Sequence, residues 1–275
     1  MEPNDKMDEL IAQAKSVKSL IAWLVFGFIV LAILLLTFVI LLPALARMPA
    51  PLPSREAFRR ESCANHLQNM GLIFKMYSSE APAKCFPSLV HRADLWTFDP
   101  KPVCPEYLID GSILKCPASA SSSEDIAEES SKIQLTLEQK PVKPVDYSRF
   151  AELAARDYVY LGWVVRDESD VQALAELRKK PGFDREAPEA VVGGKTLFRL
   201  CEDVERHFVV DTKDPAGGAK AQSEIPVMFD AAYNHGQRGK NVLYLDGHVA
   251  FVKNGKFPVT DAVNEALGLP KAPPK

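Results

Sequence analysis

Two pairs of aspartate and histidine near the C-terminal end hold the chemistry worth weighing first. Asp246 and His248 flank a single glycine, and Asp230 and His235 lie just upstream. Imidazole and carboxylate together can hold zinc or another divalent ion. A water on such an ion would be a nucleophile for hydrolysis. A plainer reading competes at each position. Asp246-Gly247 has the composition of a hairpin turn, His248 then opens the next strand, and His235 can serve as a loop residue that hydrogen-bonds backbone beside the hairpin. The structural reading carries more weight, so neither a metal nor another cofactor is expected. No run of oxygen ligands spaced along a loop suggests calcium. There is no Gly-x-Ser-x-Gly, phosphate loop or dinucleotide fingerprint. The chain is expected not to be an enzyme. The rival expectation is a metal-dependent hydrolase using Asp230, His235, Asp246 and His248.

Five cysteines are the other reactive residues: Cys63, Cys85, Cys104, Cys116 and Cys201. None forms a Cys-x-x-Cys pair, which argues against a zinc ribbon or a thioredoxin-type motif. Four of them cluster between 63 and 116, which suits disulfides in an oxidising compartment. Several pairings are possible, and spacing does not choose among them. Cys201 sits in KTLFRLCEDVERHF, reads as helical, and is expected to be a buried thiol.

These residues need elements to position them. NVLYLDGHVAFVKNGKF contains two strand-like runs split by Asp246-Gly247 and followed by Asn254-Gly255, a short antiparallel meander. Pairing Leu245 with His248 would put Val242, Tyr244, Val249 and Phe251 on one face. Upstream, Cys63, Leu67, Met70, Phe74 and Tyr77 recur at steps of four and three, an amphipathic helix that Ser54 could cap. The meander face is the natural place for that stripe. Asp157 to Val165 reads as a strand. DESDVQALAELRKK reads as a helix stopped by Pro181-Gly182. The Ser- and acid-rich stretch within 117–146 reads as a solvated linker.

Composition sets the outer limits. Of 275 residues, 47% are hydrophobic and 25% charged, which excludes a disordered or collagen-like chain. Lys plus Arg total 33 against 36 for Asp plus Glu, so no basic surface advertises nucleic acid. Ser19 to Ala46 contains no charged residue or histidine, and Leu20 to Leu42 is long enough for a spanning helix. Too long for a signal peptide, the run predicts a retained single-pass anchor. Three lysines before it and four arginines after it do not decide its orientation. The expected organisation is a cytoplasmic tail at 1–18, a transmembrane helix at 19–46 and a Pro-rich spacer at 47–53. A soluble domain then covers 54–258, and a tail covers 259–275.

Four stretches, in order, resemble one family. They are LLPALAR, CANHLQNMGLIFKMYSSE, CPEYLIDGSILKCPAS and IPVMFDAAYNHGQRGKNVLYLDGHVAFV. The chain resembles the prepilin-like (type II secretion pseudopilin-like) proteins of the His-x9-Asp-Gly, "processing-associated" group of planctomycete and related bacteria. His235, Asn241, Asp246 and Gly247 fall on that motif as structural residues. The resemblance implies an α+β fold, with a single transmembrane helix followed by a pilin-like domain in which an amphipathic helix packs on a small antiparallel sheet. It implies an inner-membrane protein with a cytoplasmic N-terminus and a periplasmic domain. The implied function is structural or interactive, as an accessory of a type II secretion or type IV pilus-like system. Its partners would be the bilayer and other membrane or secretion-system proteins, with neither nucleic acid nor a small-molecule substrate. Cys63 and Cys116 belong to the family pattern whereas Cys85 and Cys104 do not, which suggests the bridges Cys63–Cys116 and Cys85–Cys104. The chain also departs from the family. Phe26 stands where the family has its assembly glutamate, no leader-peptidase site is visible, and a PAPLP spacer intervenes. Ten residues, not nine, separate His235 from Asp246.

Overall fold

A computed structural model describes residues 23–39, 55–119, 124–137, 145–209, 211, 214–235 and 239–271. The chain divides into two units, Met1–Leu52 and Pro53–Lys275. Within the first, residues 23–39 form helix α1, with its side chains exposed. Seventeen helical residues rise about 25 Å, short of the roughly 30 Å hydrocarbon core of a bilayer. Among the described residues no helix is long and apolar enough to cross a membrane. The expected transmembrane helix at 19–46 is therefore corrected, and with it the single-pass, inner-membrane and periplasmic assignment. The tail at 1–18, the remainder of 19–46, the spacer at 47–53 and the Ser54 cap lie outside the described residues.

The second unit is α+β. Helix α2 (Arg55–Glu80) buries Cys63, Leu67, Met70 and Phe74, the stripe expected from the sequence, with Tyr77 half-buried. Strands β1 (Tyr158–Tyr160), β4 (Pro226–Asp230), β5 (Gly239–Tyr244) and β6 (Val249–Lys253) form an antiparallel sheet in the order β1-β4-β5-β6. A separate hairpin joins β2 (Glu189–Val192) to β3 (Lys195–Phe198). Around these lie helices α3 (Glu124–Leu137), α4 (Tyr147–Asp157), α5 (Glu168–Lys179), α6 (Pro215–Glu224) and α7 (Asp261–Leu267). Asp146 caps α4, accepting from the Arg149 N–H, and Asp167 caps α5, accepting from the Asp170 N–H.

Helix α2 crosses the sheet over β5 and β6. Gly71 permits the approach, because a Cβ there would stand 3.0 Å from a Leu243 methyl. Farther along, the Phe74 ring packs against Phe86, Phe98 and Tyr160, with centroids 5.8, 5.3 and 4.9 Å away. The meander forms, but one residue out of the expected register. Leu243 faces Val249 and Asn241 faces Phe251, so Leu245-Asp246-Gly247 makes a three-residue loop with Gly247 at φ 94°. A one-residue slip exchanges the two faces of a strand. Asn241 and Leu243 therefore meet α2, where Val242 and Tyr244 were expected.

The cysteines, the expected linker and the expected tail also depart from the sequence reading. Cys85 is disulfide-bonded to Cys201, which the sequence read as a helical thiol. The expected Cys85–Cys104 and Cys63–Cys116 bridges do not form, and Cys63, Cys104 and Cys116 are free and buried. The stretch read as a linker contains α3, with Glu129 and Ser130 buried and the Ser130 hydroxyl accepting from the Gly111 N–H. The expected tail at 259–275 includes α7, which buries Val263, Asn264 and Leu267.

Candidate functional site

Four side chains converge where α2 meets the end of β4. Cys63 comes from α2, and Cys116 follows the 3-10 turn Gly111–Leu114. Asp230 ends β4, and His235 lies five residues beyond it. One ligand-type atom from each falls within 4.8 Å of the other three, and all four residues are 0% exposed.

Local structure delivers each group. The α2 stripe points Cys63 inward, where its thiol donates to Asp230 Oδ1 at 2.9 Å and meets the Tyr158 hydroxyl at 3.3 Å. Tyr158 pairs with Asp230 across β1 and β4, so the sheet itself sets that triangle. The Cys116 N–H donates to Asp157 Oδ2 at 3.0 Å, which pins the loop and aims the sulfur at His235 Nε2, 3.6 Å away. Asp230 Oδ2 accepts from the Asn241 N–H at 2.7 Å and lies 3.5 Å from His235 Nε2. On the other edge of the ring, His235 Nδ1 faces Glu56 Oε1 at 3.4 Å, and neither atom makes a hydrogen bond.

Burial and proximity reshape the titrations. The neighbouring Cys116 sulfur pushes the Cys63 thiol up, and burial adds to this. The neighbouring Cys63 thiol holds the Cys116 thiol below its ordinary range, with burial opposing and His235 assisting. Burial pushes the Asp230 carboxyl up to about 7, against the pull of His235. For His235, burial favours the neutral ring, but Cys116 and then Asp230 outweigh it and raise the value.

A cysteine whose thiol is shifted down beside a histidine resembles the arrangement of a covalent nucleophile. Here both are fully covered, so a substrate has no approach to the sulfur. Two sulfurs, an imidazole nitrogen and a carboxylate oxygen are also a donor set for a soft divalent ion.

The four residues of the rival hydrolase reading divide between two places. Asp230 and His235 join the buried cluster. Asp246 and His248 sit at the β5–β6 turn, where Asp246 Oδ1 accepts from the His248 N–H at 3.0 Å and lies 2.6 Å from its Nδ1. The His248 ring stacks on Tyr244 at 4.5 Å. Asp246 and Gly247 thus act as the turn. Asn241, on the motif, bridges strand to helix, since its amide also donates to the Arg60 carbonyl at 3.3 Å. Sequence reasoning missed the grouping of Cys63 and Cys116 with Asp230 and His235, and it missed Glu56 and Tyr158 altogether. The one local signal was the Asp230/His235 spacing, since the cysteines arrive from far away in the chain.

No known protein family, curated protein or solved structure matches the chain.

Proposed function

We propose that the chain is a non-catalytic, pseudopilin-like structural or interaction protein, an accessory subunit of a type II secretion- or type IV pilus-like assembly. The observation that carries this reading is the two-faced helix α2. At 100° per residue, Cys63, Leu67, Met70 and Phe74 fall on one side and Phe58, Leu72 and Met76 on the opposite one. The first set is packed on the sheet, whereas the second is 65%, 61% and 46% exposed. Large apolar side chains aligned on the open face of a long helix suit a partner helix. The complete burial of the reactive cluster supports the non-catalytic half of the proposal.

The test places a photo-crosslinking residue at Leu72 in the full chain expressed in its native cells, with Val191 as an exposed control on β2. The expected outcome is a discrete adduct from Leu72 to a pilin-like subunit and none from Val191. A chain that crosslinks to nothing from Leu72, or that turns over ester, phosphoester or peptide substrates, overturns the reading.

A further inference from the structure

We propose that Cys63, Cys116, Asp230 and His235 form a structural zinc site. The inference goes beyond the assembly role and does not depend on it.

Geometry supports it first. With zinc–ligand bonds of about 2.0–2.3 Å, the ligand atoms of a tetrahedral site stand about 3.3–3.8 Å apart. Here Cys116 Sγ to His235 Nε2 is 3.6 Å, and His235 Nε2 to Asp230 Oδ2 is 3.5 Å. The Cys63 sulfur lies closer to the Asp230 carboxylate, at 2.9 Å, where its proton now bridges the two. Replacing that proton by the ion asks the pair to part by less than about 1 Å.

The outer groups point the same way. A zinc-bound histidine ordinarily donates its second N–H to a carboxylate. Glu56 Oε1 stands 3.4 Å from His235 Nδ1, and both atoms are buried without a hydrogen bond. Neutral His235 bound through Nε2 would carry its proton on Nδ1, aimed at Glu56. The Tyr158 hydroxyl is placed to donate to the Cys63 sulfur, and the Asn241 N–H already holds the Asp230 oxygen. A disulfide between Cys63 and Cys116 would serve this setting worse. It would remove the thiol proton from Asp230 and leave a buried carboxylate and imidazole to share few partners.

Closure argues for a structural ion rather than a catalytic one. Catalytic zinc keeps a position open to water or substrate, and all four ligands here are fully covered. The ion would join α2, the loop after the 3-10 turn, the end of β4 and the segment beyond it. These four pieces are brought together only by folding, so binding would be coupled to folding.

The experiment measures metal in the full-length protein, purified under reductant and loaded with zinc alone. One zinc per chain is expected. Cobalt in its place should give the charge-transfer and visible bands of a tetrahedral thiolate site. Cys116→Ser should lose the metal and Cys104→Ser should keep it. Glu56→Gln, which leaves the four ligands intact, should weaken zinc about 10- to 100-fold against a competing chelator. The proposal is overturned if the folded protein takes up neither zinc nor cobalt, if Cys116→Ser retains full zinc, or if Cys63 and Cys116 are found disulfide-linked in the protein as isolated.

Discussion

Asp230 with His235 and Asp246 with His248 are the same two residue types, a few residues apart in each pair, at opposite ends of β5. The first pair is sealed from water and meets two cysteines, a tyrosine and the backbone of the next strand. The second is partly open to solvent, and its partners are each other and the turn. What separates them is the helix above. Helix α2 covers the Asp230 end with Cys63 and Glu56, so every polar atom there needs a protein partner or an ion. At the Asp246 end water supplies whatever the side chains lack. Residue type and local spacing therefore say little about chemistry until the covering element is known.

That contrast can be tested by mutation, starting with the largest expected effect. Asp230→Ala should cost about 3–5 kcal/mol, because it strands the buried Cys63 thiol and the Asn241 N–H and leaves His235 without its carboxylate. Asp246→Ala should cost about 1 kcal/mol or less, the usual loss for a turn hydrogen bond. Urea denaturation of both variants makes the comparison, and equal costs would break it.

Lys240, on the strand between the two pairs, tests how dry the buried end is. It is 0% exposed, donates to the Ala231 carbonyl at 3.1 Å and Asn264 Oδ1 at 2.8 Å, and burial lowers it from 10.5 to about 8. Below pH 8 the folded and unfolded chains both carry the charge, and the folded one bears the whole burial cost. Between about pH 8 and 10.5 the folded chain releases its proton first, so stability rises with pH, by up to about 3 kcal/mol. Lys240→Met should abolish that rise. An unchanged pH profile in the variant would mean that water reaches this side of the strand.

Gly239 sharpens the same point at backbone level. A Cβ there would stand 2.6 Å from the Val252 carbonyl oxygen and 2.7 Å from the Phe251 ring. Gly239→Ala should therefore destabilise by about 1–3 kcal/mol in thermal unfolding. The smallest effect belongs to the exposed end. His248→Ala removes a ring stack on Tyr244 and a solvent-screened contact with Asp246, and should cost about 0.5 kcal/mol. A cost above that of Gly239→Ala would mean that the turn, not the covered end, organises the hairpin.

Much of the local architecture was legible in the sequence. The stripe of α2, the α5 helix and the Asp246-Gly247 turn rest on periodicity and turn residues, which act over a few positions. The register of β5 on β6 was not, because two- and three-residue loops share the same Asp-Gly signal, and the face that β5 turns to the helix is set by distant packing such as Leu243 on Gly71 of α2. Cys201 looked like a buried thiol because its partner is far away at Cys85. The reactive cluster was half visible: Asp230 and His235 are neighbours in sequence, while Cys63 and Cys116 looked like two ends of a disulfide. An apolar run at 19–46 suggested a membrane helix on hydropathy alone, whereas the described helix covers only 23–39.

The Cys85–Cys201 link closes a ring that contains Cys116 and α3 but excludes Cys63, Asp230 and His235. A protease that cuts once anywhere between residues 86 and 200 would therefore release nothing. On a gel without reductant the nicked chain would run as one covalent piece, and only reductant would part it into two. The order of events then matters to any cell that degrades this protein. A single cut inside this ring separates the two pieces only after the disulfide is reduced.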